Sequence, residues 1–480
     1  MNPQKKFLPV GSLLLTRIFA TLLIPLACWQ LWLFTSIPNY YLQHFFVYPC
    51  ALFMLWALKR NLWSPADSLE FVRPFLPWLA LIFATQALAH MNSARLFLPG
   101  DVSQVKAVLF DLCRLGVQVP FVLFFAILCR ILMREEVAQL LLVRGACWSF
   151  VALAIWCAMQ MAYVYDTPSI LKSTLHKLIV SWAPWLEARW VDAVYNMYEK
   201  GSYTLTTSRV NGFFEEASVL SAMTGVFFVP LAFGLMGKGT PKSTFTGACL
   251  LFVCLAILLL CCSVTGLLLL TVTFALLMCR CLSGRQKFMK IAAALILSAA
   301  CLFAALAVIP IPNYLKNKLQ YSNLLHQPRI IATLDTLDII MEHPLIGVGR
   351  NWYFAHLHQG RRWMENLSDP ELYAWKASGR GGELATLPAL AAQYGLPIIL
   401  AATAYAVWIC LRLRRLRRLQ PENPVFRFAS PASVAWLILA FTMSLGLVDI
   451  RNPLFCLPFF CFHAIAAGNG TNAGQRNLAA

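Results

Sequence analysis

The stretch that decides the fold class is residues 217–237, which read ASVLSAMTGVFFVPLAFGLMG without a single charged side chain. An apolar run of about 20 residues is long enough to cross the hydrocarbon core of a bilayer as one helix. The rest of the chain has the same character, since its 480 residues are 59% hydrophobic and only 12% charged. Soluble domains are about 45–50% apolar and about 25% charged, so the composition predicts an integral membrane protein.

Comparable apolar runs recur along the whole sequence and predict an all-α, polytopic bundle of about twelve transmembrane helices. Lys5 and Lys6 precede the first run, which is too long for a signal peptide, so we expect an uncleaved first span. The predicted spans are residues 11–34, 43–58, 73–92, 107–132, 147–165, 217–237, 244–262, 264–281, 289–310, 385–411, 430–448 and 452–469.

The positive charges in the short loops predict the orientation of these helices. If the N-terminus lies inside, five inner loops hold basic residues and the opposite short loops hold almost none. The inner groups are Lys59, Arg60 and Arg73, then Arg130 and Arg134, then Lys238 and Lys242, then Arg280, Arg285, Lys287 and Lys290, and finally Arg412, Arg414, Arg415, Arg417 and Arg418. Both termini are therefore predicted to lie on the inner side.

Two long loops fall on the outer side and divide the chain. Trp and Leu at helical spacing predict an amphipathic helix within residues 175–190 of the first loop. A second is predicted from Arg329 to Ile340, ended by His343 and Pro344. The predicted regions are a five-span region at 1–165, a first outer loop at 166–216, a four-span region at 217–310, a large outer loop at 311–384, and a three-span region with a tail at 385–480.

Motifs that the sequence lacks exclude several functional classes. It has no Walker A sequence, no Gly-rich dinucleotide fingerprint, no HExxH and no CxxC pair. The net charge of +18 is spread over short loops without a basic-aromatic groove, which argues against nucleic acid as a partner. None of the sixteen cysteines lies in a long outer loop, so no disulfide framework is expected there. We predict no cofactor, and only His356 and His358 raise the alternative of a metal site.

Three short blocks, in this order, carry a family resemblance. The first is residues 209–218 (RVNGFFEEAS), the second is Ser263–Gly266 (SVTG), and the third joins Arg329 to residues 342–349 (EHPLIGVG). Together they resemble the O-antigen polymerase and O-antigen ligase group of bacterial cell-surface glycosyltransferases, although Ala217 stands where that group usually has proline. The group shares the layout of about a dozen spans with a dominant outer loop before the last few helices.

The resemblance implies a metal-independent membrane glycosyltransferase at the periplasmic face of the bacterial inner membrane. Its substrate would be an oligosaccharide linked to undecaprenyl diphosphate, and a flippase and a chain-length regulator are the implied partners. Ligases of this group usually carry a histidine upstream of a glycine in the helix after the large loop. The comparable stretch here, residues 382–395, has glutamate or leucine near that position, which favours a polymerase and leaves the ligase as the alternative.

The same resemblance assigns roles to individual residues. Negative charge develops on the leaving diphosphate, and guanidinium groups match phosphate oxygens, so we assign Arg209 and Arg329 to this role. Glu216 is the leading candidate for the general base that activates the attacking hydroxyl. The predicted substrate contacts are His343, Arg350, Arg380 and Glu383, of which Glu383 is also the second candidate for the base.

Each assignment has a purely structural alternative. The alternative for Arg209 is a side chain that snorkels to the membrane surface, and for Glu216 it is a first-turn carboxylate that the helix dipole favours. The alternative for His343 is a residue that only ends a helix. The competing functional class is a transporter, which Asp111 and Arg114 would suit because they are three residues apart within one predicted span. A mutual ion pair also accounts for those two residues.

Overall fold

The computed structural model describes most of the chain, and it describes it as helices. The described residues are 10–28, 45–63, 73–98, 100–164, 209–214, 217–281, 328–368, 386–444 and 453–468, with a few single positions between these ranges. Every regular element in the described ranges is helical and none is a strand, which confirms the all-α fold class.

The helices follow one another along the chain with short turns between many of them. A 3-10 turn, Arg73–Phe75, leads into the third helix, and a π-helical turn, Thr224–Phe228, lies within the sixth. In chain order they are α1 (Val10–Cys28), α2 (Val47–Lys59), α3 (Leu76–Phe97), α4 (Asp101–Leu132), α5 (Glu136–Val164), α6 (Ala217–Gly237), α7 (Pro241–Leu260), α8 (Val264–Cys281), α9 (Pro328–Glu342), α10 (Tyr353–Leu357), α11 (Arg361–Glu365), α12 (Thr386–Tyr394), α13 (Leu396–Leu419), α14 (Pro424–Ser444) and α15 (Pro453–Gly468).

Six helices in the described part of the chain are long and apolar enough to cross a membrane, namely α4, α5, α6, α7, α13 and α14. Shorter apolar helices occur within α1, α2, α8 and α15. The chain is therefore a helical membrane protein, as its composition predicts. The count of twelve spans stays a prediction, in part because the predicted span at 289–310 lies outside the described residues.

Helix α6 lies at the centre of the bundle. Of the 18 residues in its most apolar stretch, 89% are buried, whereas the corresponding share in the other five long helices is 17–50%. Small residues allow this close packing: a Cβ added at Gly234 would lie 2.5 Å from the Phe428 ring, and one at Gly237 would lie 2.6 Å from the Arg427 carbonyl oxygen. Within a membrane, small residues that let helix backbones approach closely are a main source of helix association.

The described part of the large outer loop folds around a second, smaller hydrophobic core. Helix α9 confirms the predicted amphipathic helix, since Ile331 and Ile339 are buried and His343 and Pro344 follow its last residue. The large side chains that α9 packs against are Tyr353, Leu357 and Trp363. The amphipathic helix predicted within residues 175–190 lies outside the described residues, apart from single positions, and stays a prediction.

The single span predicted at residues 385–411 is wrong in one respect, because the structure has two helices there. They meet at Gly395, whose φ of 85° belongs to the left-handed region that glycine adopts without cost. A Cβ at this position would collide with the carbonyl oxygen of Leu345, so the outer loop approaches the chain at this break. Helix α13 also continues past residue 411 to Leu419, since Arg and Leu are strong helix formers.

Candidate functional site

Two polar clusters lie among the described helices, one at α3 and α4 and one at α5, α6 and the turn between α7 and α8. Short turns join α3 to α4, α4 to α5, and α7 to α8, so successive helices reverse direction. The C-terminal ends of α3, α5 and α7 therefore share one face with the N-terminal ends of α4 and α8. The loop segment at residues 209–214 ties α5 to α7 at this end. This face is the one that the charge pattern predicts to lie outside.

Helix α3 presents a polar stripe to the first cluster. Gln86, His90 and Ser93 are spaced as neighbours on one helix face, and each is at most 2% exposed. Burial of such groups is costly unless they find hydrogen-bond partners. Gln86 Nε2 donates to the Gln393 carbonyl of α12 at 2.9 Å, and Ser93 Oγ donates to the Val348 carbonyl of the outer loop at 2.6 Å. The stripe therefore holds the loop on the bundle.

His90 and Asp111 form a buried ionisable pair between α3 and α4. His90 Nδ1 lies 3.2 Å from Asp111 Oδ2 without meeting hydrogen-bond geometry, so the contact is electrostatic. The other carboxylate oxygen accepts from Asn351 Nδ2 of the outer loop. This arrangement replaces the alternative of an ion pair between Asp111 and Arg114. The Arg114 guanidinium lies instead over the Phe110 ring, 5.0 Å from its centroid.

Arg350, a predicted substrate contact, is held by two neutral side chains. Its backbone N–H donates to Gln86 Oε1 at 3.2 Å, and its guanidinium Nη1 donates to Gln118 Oε1 on α4. It has no carboxylate partner among the described residues, and it is partly exposed. The side chain is thus fixed in direction by a neutral amide, and no described carboxylate pairs with it. Such a guanidinium is suited to an anionic ligand. We call Arg350 with Gln86, His90, Ser93, Asp111, Gln118 and Asn351 the Arg350 cluster.

The glycine-containing block at residues 342–349 is bonded to the break between α12 and α13. Val348 N donates to the Ala392 carbonyl at 2.8 Å, and Leu396 N donates to the Pro344 carbonyl at 2.8 Å. Gly347 and Gly349 have φ of 68° and 86°. Both residues therefore occupy the left-handed region that favours glycine.

His343 and His356 lie beside the Arg350 cluster. The His356 ring is 5.5 Å from the His343 ring, and its Nε2 lies 3.0 Å from Ser93 Oγ. The single hydroxyl proton of Ser93 goes to the Val348 carbonyl, so His356 Nε2 must be the donor to Ser93. Burial lowers the pKa of His356 to about 4, and the charge of His343 acts in the same direction. His356 is therefore neutral near pH 7.

The second cluster brings together two of the predicted motifs. The Gln160 side chain of α5 holds the first motif, since its Oε1 accepts from Gly212 N at 2.8 Å and its Nε2 donates to Asn211 Oδ1 at 2.8 Å. Asn211 is fully buried, and its own Nδ2 has no hydrogen-bond partner in the described part of the chain. Two residues from Arg209, the Asn211 side-chain N–H group is thus a buried donor that no described acceptor satisfies.

The turn between α7 and α8 supplies the second motif of this cluster. Ser263 Oγ lies 2.8 Å from Ser221 Oγ of α6 and accepts from Gly266 N at 2.9 Å. Burial raises the pKa of the Cys262 thiol, and the positive charge of Arg209 opposes that shift. The Arg209 guanidinium therefore lies close enough to this turn to act on it electrostatically.

The predicted site residues are thus distributed unevenly over the two clusters. Arg209 belongs to the second cluster, and His343 and Arg350 belong to the first. Arg329 lies in the first turn of α9, and only its backbone is described. The remaining predictions fall outside the described residues: Glu216, Arg380 and Glu383.

Two further arginines of the outer loop have structural partners. Arg362 Nη1 donates to Asp335 Oδ1 at 3.2 Å and also to Asp338, while Arg361 pairs with Glu365 at 2.8 Å. The buried Asp335 carboxylate also accepts from the backbone N–H of residue 363 at 2.8 Å. These contacts hold α9 to α11 and remove both arginines from the set of free cations.

No group of three or more His, Cys, Asp or Glu residues that could hold a metal ion occurs in the described part of the chain. The two histidines considered for a metal site face different partners. His356 bonds to Ser93, and the His358 ring packs on Trp363 with 5.1 Å between centroids.

Comparison with known proteins assigns no family: no family model matches the chain, and no curated protein matches it.

Sequence reasoning missed the residues that bind the loop to the bundle: Gln86, His90 and Ser93 on α3, Gln118 on α4, Gln160 on α5, and Asn351. A signal for the first three was present. Polar residues at i, i+4 and i+7 within an apolar stretch lie on one helix face and need buried partners. The single residues Gln118 and Gln160 carry no comparable pattern.

Proposed function

We propose that this protein polymerises oligosaccharide repeat units carried on undecaprenyl diphosphate. The observation that carries the proposal is Arg350, whose guanidinium is held by the Gln118 amide midway along α4, with no carboxylate partner among the described residues. A substrate with a lipid tail and a charged diphosphate matches an apolar bundle that holds a fixed cation. Glycan transfer is proposed because the three motifs resemble those of the polymerase and ligase group.

In the proposed reaction, a sugar hydroxyl of one lipid-linked unit attacks the anomeric carbon of a second unit. The new C–O glycosidic bond forms as the bond from the anomeric carbon to the diphosphate oxygen breaks, and undecaprenyl diphosphate leaves with the electron pair. A carboxylate takes the hydroxyl proton, with Glu216 as the first choice and Glu383 as the second. Arg209 and Arg329 stabilise the charge on the leaving diphosphate.

The two clusters suggest a division of this work. Arg209 lies beside the orphaned donor of Asn211, so the second cluster offers a cation and a buried N–H group for phosphate oxygens. Arg350 and His343 then orient a second anionic or polar part of the substrate. Arg380 is a further proposed contact. The protein acts at the periplasmic face of a bacterial inner membrane in this proposal, with both termini in the cytoplasm and with a flippase and a chain-length regulator as partners.

The direct test is chain growth by purified protein in liposomes. We would supply only undecaprenyl-diphosphate-linked repeat units, without metal or nucleotide, and resolve the lipid-linked glycans on a gel. Wild type is expected to give a ladder. Arg329→Ala is expected to slow its growth by about a hundredfold to a thousandfold, the usual effect of removing a charge-stabilising group. Arg350→Gln is expected to raise the substrate concentration that chain growth requires, because this guanidinium orients the substrate. Arg361→Gln is the matched control, because that arginine already pairs with Glu365 at the surface.

The outcomes of this assay separate the alternatives. A ladder that persists unchanged in both arginine variants would contradict the proposed site. If no ladder forms, an added lipid A–core acceptor tests the ligase, which would transfer a single glycan to it. We expect no such transfer.

A transporter is the second candidate, and the buried His90–Asp111 pair favours it. Ionisable groups inside a membrane protein often mark a proton or substrate path. In that case His90→Gln and Asp111→Asn would abolish flux of a labelled lipid-linked oligosaccharide across the vesicle membrane while no glycosidic bond forms in wild type. We favour the polymerase because Asn351 of the outer loop bonds to this pair, which gives the pair a structural role.

A further inference from the structure

A second basic feature lies at the other end of the bundle. A cavity of about 510 Å³ opens between α6, α8, α13 and α14. Four arginines line it: Arg280 at the end of α8, and Arg414, Arg417 and Arg418 near the end of α13. The motifs of the proposed function contribute none of these residues.

The length of α13 separates this cavity from the two polar clusters. The helix begins at Leu396, next to the glycine break, and runs for 24 residues to Leu419. At 1.5 Å per residue it is about 36 Å long, so Arg417 lies roughly a membrane thickness away from the Arg350 cluster. By the distribution of basic loops, this end faces the cytoplasm.

The charged residues that the structure describes around the cavity are all arginines. No Asp or Glu occurs among its lining residues within the described ranges. Arg414, Arg417 and Arg418 have no carboxylate partner in the part of the chain that the structure describes. The cavity therefore carries a positive charge that favours an anionic ligand.

Arg280 has a structural task at the rim of the cavity. Its Nη2 donates to the Met236 carbonyl at 2.9 Å, which satisfies an oxygen in the last turn of α6. The position of this guanidinium is thereby set by the bundle itself. This part of the rim therefore has a defined geometry.

The deeper part of the cavity is apolar. Phe233, Leu276 and Val434 line it, and they belong to the membrane-spanning parts of α6, α8 and α14. A soluble phosphate compound would satisfy the arginines and leave this apolar surface unfilled. A phospholipid would fill both parts, with its phosphate at the rim and an acyl chain along the helices. Basic pockets between transmembrane helices on the cytoplasmic side are recognised by such headgroups.

We propose that this cavity binds the phosphate headgroup of an anionic phospholipid from the cytoplasmic leaflet. The arginines of α13 provide bidentate contacts to the phosphate oxygens. Bound lipid joins the cytoplasmic ends of α6, α8, α13 and α14, whose opposite ends adjoin the proposed glycan site.

The test measures lipid binding and is independent of glycan chemistry. Full-length protein in detergent would be titrated with cardiolipin, and bound lipid would be counted by native mass spectrometry. Arg417→Gln is expected to weaken binding about fivefold, from roughly 1 kcal/mol per basic residue near a lipid surface. Arg415→Gln is the matched control, since Arg415 is an exposed arginine on the same helix that does not line the cavity. Arg417→Lys should retain part of the binding, because it keeps the positive charge and loses the bidentate contact.

The alternatives give different results. Equal loss in Arg417→Gln and Arg415→Gln would overturn the proposal in favour of diffuse surface charge, and no loss in either variant would also overturn it. Displacement of cardiolipin by inorganic phosphate at equal concentration would assign the site to a free anion and would overturn the lipid assignment. Zwitterionic phosphatidylethanolamine, whose net charge is zero, should bind much more weakly, and unchanged melting temperatures would show that both variants are folded.

Discussion

Gly349 shows how tightly a single residue constrains the docking of the outer loop. Its φ is 86°, and a Cβ there would lie 2.8 Å from His90 Nδ1. The absence of a side chain therefore serves both the turn and the contact with α3. A glycine in the middle of α4, Gly116, differs in both respects, because it is helical and a Cβ there meets nothing within 4 Å.

These two glycines make a matched pair of variants. We expect Gly349→Ala to destabilise the protein by about 1–2 kcal/mol from the left-handed backbone alone, with the contact to His90 adding to that loss. Gly116→Ala should raise stability by roughly 0.5–1 kcal/mol, because alanine favours a helix over glycine. Thermal unfolding in detergent measures both changes. Equal stability of the two variants would show that the loop does not dock as described.

A second pair of variants compares the effect on stability of a buried carboxylate with that of an exposed one. Asp335 is 1% exposed and accepts from the backbone N–H of Trp363 at 2.8 Å, whereas Asp338 lies one turn further along α9 at the surface. Asp335→Asn is expected to cost about 1.5–3 kcal/mol, since an amide cannot serve all the donors that the carboxylate serves. Asp338→Asn should change stability little. Hydrogen exchange of the α11 amides would report the difference directly.

Helix α3 is the element that joins membrane and loop. It is absent from the six helices that are apolar enough to span a membrane by themselves, although it is as long as several of them. The reason is its polar stripe. The Gln86 and Ser93 side chains of this stripe donate hydrogen bonds to backbone carbonyl groups of other segments and are therefore buried within the protein. Its polar side chains lower the mean hydropathy of the helix and supply the hydrogen bonds that dock the loop on it.

The docking of this element is expected to depend on pH through His356. Its pKa is lowered from 6.5 to about 4, so the unfolded chain binds more protons than the folded chain between these values. Stability is therefore fully present above about pH 6.5, decreases as the pH falls toward about 4, and changes no further through this group below that. His356→Gln should flatten the part of the melting-temperature profile between these pH values. An identical profile in wild type and variant would contradict the role given to His356.

At the scale of the whole molecule, charge is divided between two ends with different roles. The predicted outer side carries Arg350, which is held by a neutral amide, and Arg361 and Arg362, which pair with carboxylates. The other end carries arginines that bind helix ends and surround a cavity: Arg134 donates to the Leu62 carbonyl at 2.8 Å, and Arg17 pairs with Glu135 at 2.8 Å. Basic residues of this second kind are typical of the cytoplasmic face.

The orientation that follows can be measured by labelling single introduced cysteines with a membrane-impermeant maleimide in intact cells. Gln359→Cys lies in the outer loop and Lys242→Cys lies at the start of α7, and both positions are exposed. We expect labelling of Gln359→Cys above the wild-type background and labelling of Lys242→Cys only after the membrane is permeabilised. The reverse pattern would invert the assignment of the two faces.

Local patterns in the sequence were enough for the helical membrane class, for most helix positions and for the amphipathic helix after Pro328. Each of these depends on neighbouring residues along one helix and on the length of an apolar run. The break at Gly395 was not predicted, because it is imposed by a backbone approach from Leu345, a residue distant along the chain.

The sequence by itself determined that this protein is a membrane-embedded helical bundle with basic loops, because composition and periodicity carry that information. Only the tertiary structure decided which polar residues meet. Arg350 with Gln118, Asn351 with Asp111, and Gln160 with the Arg209 segment join parts of the chain that lie far apart in sequence. Such contacts depend on how helices pack side by side, and packing is set by the shapes of many residues at once.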